Sequence, residues 1–89
     1  MNKSEHILFH YIIRVSKKDS SFCYFQLEAC DGLCFYSTTE ESMGKGYRDI
    51  DIKGDKSLEA EFLIALESLK RSFPVEILEK HHLLDHSFS

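Results

Sequence analysis

The chain has 89 residues, of which 43% are hydrophobic, 12% aromatic and 29% charged, and its formal net charge is −4. This length allows a single hydrophobic core, and this composition excludes a chain that is disordered throughout. No run of Lys or Arg exceeds two residues. Because a phosphate-binding surface needs clustered cations, nucleic acid is excluded as a predicted partner.

The expected compartment is the cytoplasm, without membrane contact. The apolar stretch nearest the start, ILF at 7–9, is too short for a signal peptide or a membrane span. The cysteines, Cys23, Cys30 and Cys34, cannot all pair within one chain, and a reducing compartment keeps them as thiols. Their C-x6-C-x3-C spacing lacks the C-x2-C pairs of zinc sites, so they are predicted to be core or half-buried residues.

The first predicted element is a strand over HILFHYIIRV, His6 to Val15, in which two faces alternate. The wholly apolar face is expected to point to the core and carries Ile7, Phe9, Tyr11, Ile13 and Val15. The other face is mixed and carries Leu8, His10, Ile12 and Arg14. The polar segment SKKDSS ends the strand.

The next stretch, residues 20–31, fits a helix and a hairpin arm almost equally well. In the helix, Asp19 caps the amino end, Gly32 takes the left-handed position after the last turn, and polar residues share one arc, namely Ser20, Ser21, Tyr24, Glu28 and Asp31. In the hairpin, the Asp31-Gly32 pair forms the turn and alternate residues face inward, namely Cys23, Phe25, Leu27 and Ala29. Topology favours the helix, because a second helix is then available to cover the sheet.

Two strands and a second helix follow. LCFYSTT is predicted to turn Leu33 and Phe35 to the core, and YRDIDIK to turn Ile50 and Ile52 inward and its charged residues, Asp49, Asp51 and Lys53, to solvent. The helix over SLEAEFLIALESLKRSF has Ser57 as its predicted N-cap and one apolar stripe, made of Leu58, Phe62, Ala65, Leu66 and Leu69.

Pro74 ends this helix, and VEIL is a short last strand that is predicted to turn Val75 and Ile77 to the core. The domain is expected to span residues 1–80, with 81–89 a C-terminal tail or a short helix.

The predicted fold class is α+β, a ferredoxin-like βαββαβ two-layer sandwich, and the alternative is an antiparallel β-meander followed by one helix. The run EACDGLCFYSTT, which follows a strand and KKD and leads to GYRDIDI, resembles a small bacterial family known as the domain of unknown function DUF4911. The resemblance covers roughly His10 to Leu78. It implies a ferredoxin-like or ACT-like fold and no known activity, and it does not extend to the polar tail from Lys80.

The candidate binding surface is the mixed sheet face, predicted to carry Leu8, His10, Ile12, Arg14, Cys34 and Tyr36, with Thr38 and Leu78 beside them. Uncovered apolar patches on small domains mark contact surfaces. The sequence therefore predicts a non-catalytic interaction or regulatory module that forms a homodimer or binds a partner protein. The competing expectation is that the tail, with Leu83, Leu84 and Phe88, folds over this face.

Other chemistry has less support in the sequence. Cys34 and His10 would form a nucleophile–base pair if their strands were neighbours, but no glycine-rich elbow accompanies them. His82 and His86 lie one helical turn apart, which is half of a metal site. We predict no catalytic residue and no cofactor. A small-ligand or metal-binding domain is the alternative function, and a small enzyme of unknown reaction is the third.

Overall fold

The computed structural model describes residues 6–29 and 32–85, which form an α+β domain. The described elements are β1 (His6–Ser16), α1 (Lys17–Ala29), β2 (Phe35–Thr38), β3 (Tyr47–Asp55), α2 (Glu59–Ser72) and β4 (Glu76–Asp85). Short 3-10 turns at Glu40–Ser42 and Lys56–Leu58 precede β3 and α2. No helix in the described part of the chain has the length and apolarity needed to cross a membrane.

The four strands form one sheet in the order β2-β3-β1-β4, and each neighbouring pair is antiparallel. The longest strand, β1, therefore lies in the interior between β3 and β4. The α+β prediction is confirmed, and the β-meander alternative is wrong because α1 occupies the stretch that the meander needs as a strand.

The helix α1 begins three residues earlier than predicted, and its capping differs as a result. Asp19 lies in the first turn instead of capping it, and it accepts a hydrogen bond from the Ser16 hydroxyl (2.9 Å). Ser20 is buried, although the predicted polar arc placed it at the surface, because its hydroxyl donates to the carbonyl of Lys17 (2.8 Å). Gly32 adopts φ +82°, the left-handed conformation that was predicted after the helix.

The core lies between one face of the sheet and the two helices. Strands β1 and β3 contribute Phe9, Tyr11, Ile13, Val15, Ile50 and Ile52, and the helices contribute Cys23, Leu27, Phe62, Leu66 and Leu69. The Phe62 ring stacks on Phe9 at 4.8 Å between centroids and lies 5.0 Å from Tyr11. Ile7 and Ile77 were predicted to join this core but are exposed, because they lie near the strand ends or in the edge strand β4.

A capped 3-10 turn precedes α2, whose own N-cap position, Leu58, has no side-chain cap. The Asp55 side chain accepts a hydrogen bond from the backbone N–H of Ser57 (2.9 Å), and α2 begins at Glu59. Ser57 is therefore the residue that is capped and not the predicted N-cap, because the extra turn moves the helix start from Leu58 to Glu59.

The strand β4 is longer than predicted and includes residues that were assigned to the tail. It pairs with β1 from His6 to Arg14, so residues 81–85 are extended and belong to the domain. The physical reason is that β1 would otherwise leave a row of backbone N–H and C=O groups unpaired along one side. Residues 86–89 lie outside the described residues. The predictions for His86, as part of a metal site, and for Phe88, as part of a tail that covers the mixed sheet face, fall on these residues.

Candidate functional site: the open sheet face

The side of the sheet opposite the helices is called the open face here. It consists of Leu8, His10, Ile12, Arg14 and Ser16 of β1, Phe35 and Ser37 of β2, Tyr47, Asp49, Asp51, Lys53 and Asp55 of β3, and Glu76, Glu79, His81 and Leu83 of β4. Both helices pack on the other side. Leu83 and Leu84 are held in β4, so the expectation that they fold over this face is wrong.

Four of the six predicted surface residues lie on the open face, and two do not. Leu8, His10, Ile12 and Arg14 are where the alternation of β1 places them. Cys34 and Tyr36 are on the helix side, together with Thr38: Tyr36 is in register with buried Ile52, and Cys34 packs against the core. The Tyr36 hydroxyl donates to Glu28, and its ring stacks on Tyr24 at 5.7 Å.

The alternation of β2 is thus shifted by one residue from the prediction. Phe35, predicted to be in the core, is in register with Lys53 on the open face and is 79% exposed. The run LCFY is apolar at every position, so either set of alternating residues could face the core. Hydrogen bonding to β3 decides which set does. Ser37 lies two positions after Phe35 and therefore on the same face of β2. Its polar side chain was the signal in the sequence that this face points away from the core.

Opposite charges on the open face are paired with one another. Arg14 donates to both carboxylate oxygens of Asp49, from Nε at 2.8 Å and from Nη2 at 3.0 Å, and its guanidinium lies 4.0 Å from the centroid of the Tyr47 ring. The hydrogen bonds to Asp49 raise the pKa of Arg14 above its usual value. Lys53 lies 3.7 Å from Asp51. The Arg14–Asp49 pair joins β1 to β3 across the face, whereas Lys53 and Asp51 lie two positions apart on β3 itself.

A chain of side-chain hydrogen bonds crosses the middle of the open face. His10, only 8% exposed, has Nε2 at 2.8 Å from Asp51 and Nδ1 at 3.1 Å from Nε2 of His81. Since an ionised carboxylate only accepts, His10 Nε2 donates to Asp51, and His10 Nδ1 and His81 Nε2 share the second hydrogen bond, whose direction follows from the tautomer of the two rings. Glu79 lies 3.3 Å from the same His81 nitrogen. The chain ties β3, β1 and β4 together.

The predicted nucleophile–base pair is not formed. Strand β3 lies between β1 and β2, and Cys34 is on the side of the sheet opposite His10. The assumption that the first and second strands are neighbours was wrong, because the second hairpin strand is inserted between them. Buried Cys23, whose pKa burial raises to about 11, is also a poor nucleophile.

The described histidines of β4, His81 and His82, contact side chains of neighbouring residues and elements. Among the described residues, no group of three or more His, Cys, Asp or Glu side chains is placed to hold a metal ion. His82 is extended and its Nε2 lies 2.9 Å from Glu59, so the helical spacing assumed for His82 and His86 does not apply at His82.

A second polar cluster, which the sequence did not predict, joins β1, α2 and β4 on the helix side. The buried Tyr11 hydroxyl donates to Glu59 Oε2 at 2.9 Å, and His82 Nε2 contacts Glu59 Oε1 at 2.9 Å. Burial, followed by the hydrogen bond to Glu59, raises the pKa of Tyr11 to about 12. The hydrogen bond with His82 is the largest cause of the lowered pKa of Glu59, and the one from Tyr11 adds to it.

We expect Glu59→Gln to lower the free energy of unfolding at pH 7 by about 1–2 kcal/mol, because charge-assisted hydrogen bonds become neutral ones. The folded-state pKa of Glu59 lies below its unfolded value of about 4.3. Its contribution is therefore present above that pH and is lost as the pH falls through the folded-state pKa.

Urea unfolding at several pH values should show this loss in the natural chain and less of it in the variant. Glu61→Gln, in the same turn but exposed, is the control. Equal pH profiles for Glu59→Gln and the natural chain would contradict the assignment.

No protein-family model matches the chain, and no curated protein matches it. The resemblance to DUF4911 therefore stays a prediction. The fold and the open face define the class of the protein: a small α+β domain whose antiparallel sheet is covered by helices on one side.

Proposed function

We propose that the chain is a cytoplasmic, non-catalytic interaction module with a ferredoxin-like βαββαβ fold, and that two copies associate through the open face. The element order β-α-β-β-α-β and the sheet order support the fold assignment. One observation carries the function: both helices pack on the same side of the sheet, and within residues 6–29 and 32–85 no element covers the apolar residues of the central strand on the other side.

The apolar part of the open face follows β1 and extends to its neighbours. Leu8 and Ile12 are half-buried in the interior strand, and Leu83 is in register with Leu8 on β4. Phe35 adds an exposed aromatic ring at the β2 edge. These apolar side chains alternate with the polar residues His10, Asp51 and Glu79, and apolar surface exposed on a small domain is where protein contacts form.

Self-association suits the arrangement of charge on this face. Arg14 with Asp49 and Lys53 with Asp51 are already paired within one chain, so a second copy does not have to supply counter-charges for them. In a two-fold contact the same patch meets itself, and residues near the axis contact their own equivalents. Ile12 lies in an interior strand and is suited to that position, because apolar contact with itself needs no charge complement.

We expect the natural chain to sediment as a dimer at high micromolar concentration and Ile12→Lys to weaken dimerisation at least tenfold. The reason is that a two-fold contact brings both introduced charges into one apolar region, and loss of a central contact residue costs about 2 kcal/mol or more. Sedimentation equilibrium measures this directly.

The matched control is Ile64→Lys, which introduces the same charge at an isoleucine of α2 that is 70% exposed. It should dimerise as the natural chain does. A natural chain that remains monomeric at these concentrations, or equal weakening by both variants, would rule out the proposed contact.

A further inference from the structure

A cleft of about 670 Å³ lies between the last turn of α1, the start of β2 and the end of β3. Its volume is in the range of small-molecule sites. Leu27, Leu33 and Leu58 supply apolar lining, and Phe35 lies at the junction of the cleft with the β2 edge. The cleft is thus large enough and apolar enough to accommodate the body of a small organic molecule.

The charge of the cleft has one sign. Among the described residues that line it, the charged ones are Glu28 and Asp55, and no Lys, Arg or His is present. Glu28 lies in the last turn of α1, where the helix dipole is negative and where a basic residue is favoured; that turn has no basic residue. A carboxylate at this position costs helix stability, and residues that break a local rule in this way occur at functional sites.

The carboxylate of Glu28 is held in place by aromatic residues. The Tyr36 hydroxyl donates to Glu28 Oε2, and Tyr36 is itself held by its stack on Tyr24, whose hydroxyl is hydrogen-bonded to Thr38. One of the two carboxylate oxygens of Glu28 therefore accepts a hydrogen bond from Tyr36. Phe35 adds an aromatic face, 79% exposed, of the kind on which ammonium groups rest.

We propose that this cleft binds a small organic cation: a primary ammonium group at the Glu28 carboxylate, in a lining whose other charged residue is Asp55, with an apolar body against Leu27, Leu33 and Leu58. Two carboxylates and the negative end of a helix repel anions, and the apolar lining favours an alkyl- or arylalkyl-ammonium over a hydrated inorganic cation. The cleft meets the open face at Phe35 and Asp55, but ammonium binding at Glu28 does not depend on the contact proposed around Ile12.

The test uses phenethylammonium as the probe and 2-phenylethanol, which has a similar shape but no charge, as its counterpart. In an NMR titration of the full chain, the ammonium probe should give saturable shifts in the amides of Leu27, Glu28 and Tyr36, and the alcohol should bind at least tenfold more weakly. Glu28→Gln should weaken binding of the ammonium about tenfold to a hundredfold, as expected for loss of a charged hydrogen-bond partner. Glu41→Gln, which removes the same charge outside the cleft, should leave binding unchanged.

The salt dependence of probe binding to the natural chain tests the same proposal without a variant, so the result does not depend on whether the variants fold. Raising the ionic strength to about 0.5 M should weaken binding of phenethylammonium and leave that of 2-phenylethanol unchanged. Absence of saturable shifts with the ammonium probe, equal affinity for the alcohol, or an unchanged affinity in folded Glu28→Gln would each overturn the proposal. Ile12→Lys should bind the probe normally, so failure of the dimer proposal and failure of this one give different results.

Discussion

Phe62→Ala is expected to lower the free energy of unfolding by about 3–5 kcal/mol. Phe62 is fully buried and packs α2 against the sheet: its ring stacks on Phe9 and tilts against Tyr11. Both of these rings project from β1, which is paired on both sides, so the sheet cannot move in to fill the cavity. Since domains of this size are stable by about 5–15 kcal/mol, the loss would be a large share of the total.

Denaturant unfolding followed by far-UV circular dichroism measures this loss. Ile64→Ala, two positions along the same helix and largely exposed, is the control and should change stability by about 0.5 kcal/mol or less. Phe62→Leu should fall between the two, because it restores part of the volume. If Phe62→Ala and Ile64→Ala cost the same, the packing of α2 on β1 described above is incorrect.

Gly54→Ala is expected to destabilise the domain by about 2–3 kcal/mol or more, although it adds only one methyl group. A Cβ atom at Gly54 would lie 2.5 Å from Cζ of Phe9 and 2.8 Å from the carbonyl oxygen of Leu33. Neither neighbour can withdraw easily, because Phe9 is stacked on Phe62 and the Leu33 oxygen belongs to the backbone. The substitution therefore forces a displacement within the core.

A second glycine in the same region of sequence is the matched control. A Cβ atom at Gly46 would have no heavy atom within 4 Å, so Gly46→Ala should be neutral or stabilise by up to about 1 kcal/mol through the unfolded chain. Gly54→Ala combined with Phe9→Leu should be less destabilising than the sum of the two single changes, since the smaller side chain relieves one clash. Thermal or urea unfolding of the four variants tests both expectations, and equal stability of Gly54→Ala and Gly46→Ala would contradict the close approach.

Much of the fold follows from local patterns. The alternation in β1 identifies Phe9, Tyr11 and Ile13 as core residues, and the three- and four-residue spacing in α2 does the same for Phe62 and Leu66. These predictions succeed because polar and apolar residues differ along the repeat. In β2, residues 33–36 are all apolar, so the sequence does not show which of them face the core. The sides of the sheet on which Cys34 and Tyr36 lie were therefore predicted wrongly.

The candidate site was predictable only in part. The alternation of β1 was sufficient to place His10 and Arg14 on the open face. Their partners Asp51 and Asp49 were predicted as solvent-facing residues without any pairing, and His81 was assigned to a tail. Which side chains meet across a sheet depends on strand order and register, and neither is encoded within a single strand.

The amino-acid sequence by itself determined the elements whose signals are local: an amphipathic α2, a β1 with one apolar side, and a left-handed glycine after α1. Only the tertiary structure decided that residues 81–85 extend β4, that β2 turns Phe35 outward, and that Glu59 joins Tyr11 to His82. The reason is physical. A helix or an alternating strand is stabilised by residues a few positions apart, whereas an edge strand and a polar cluster are stabilised by partners that are distant in the chain and adjacent only after folding.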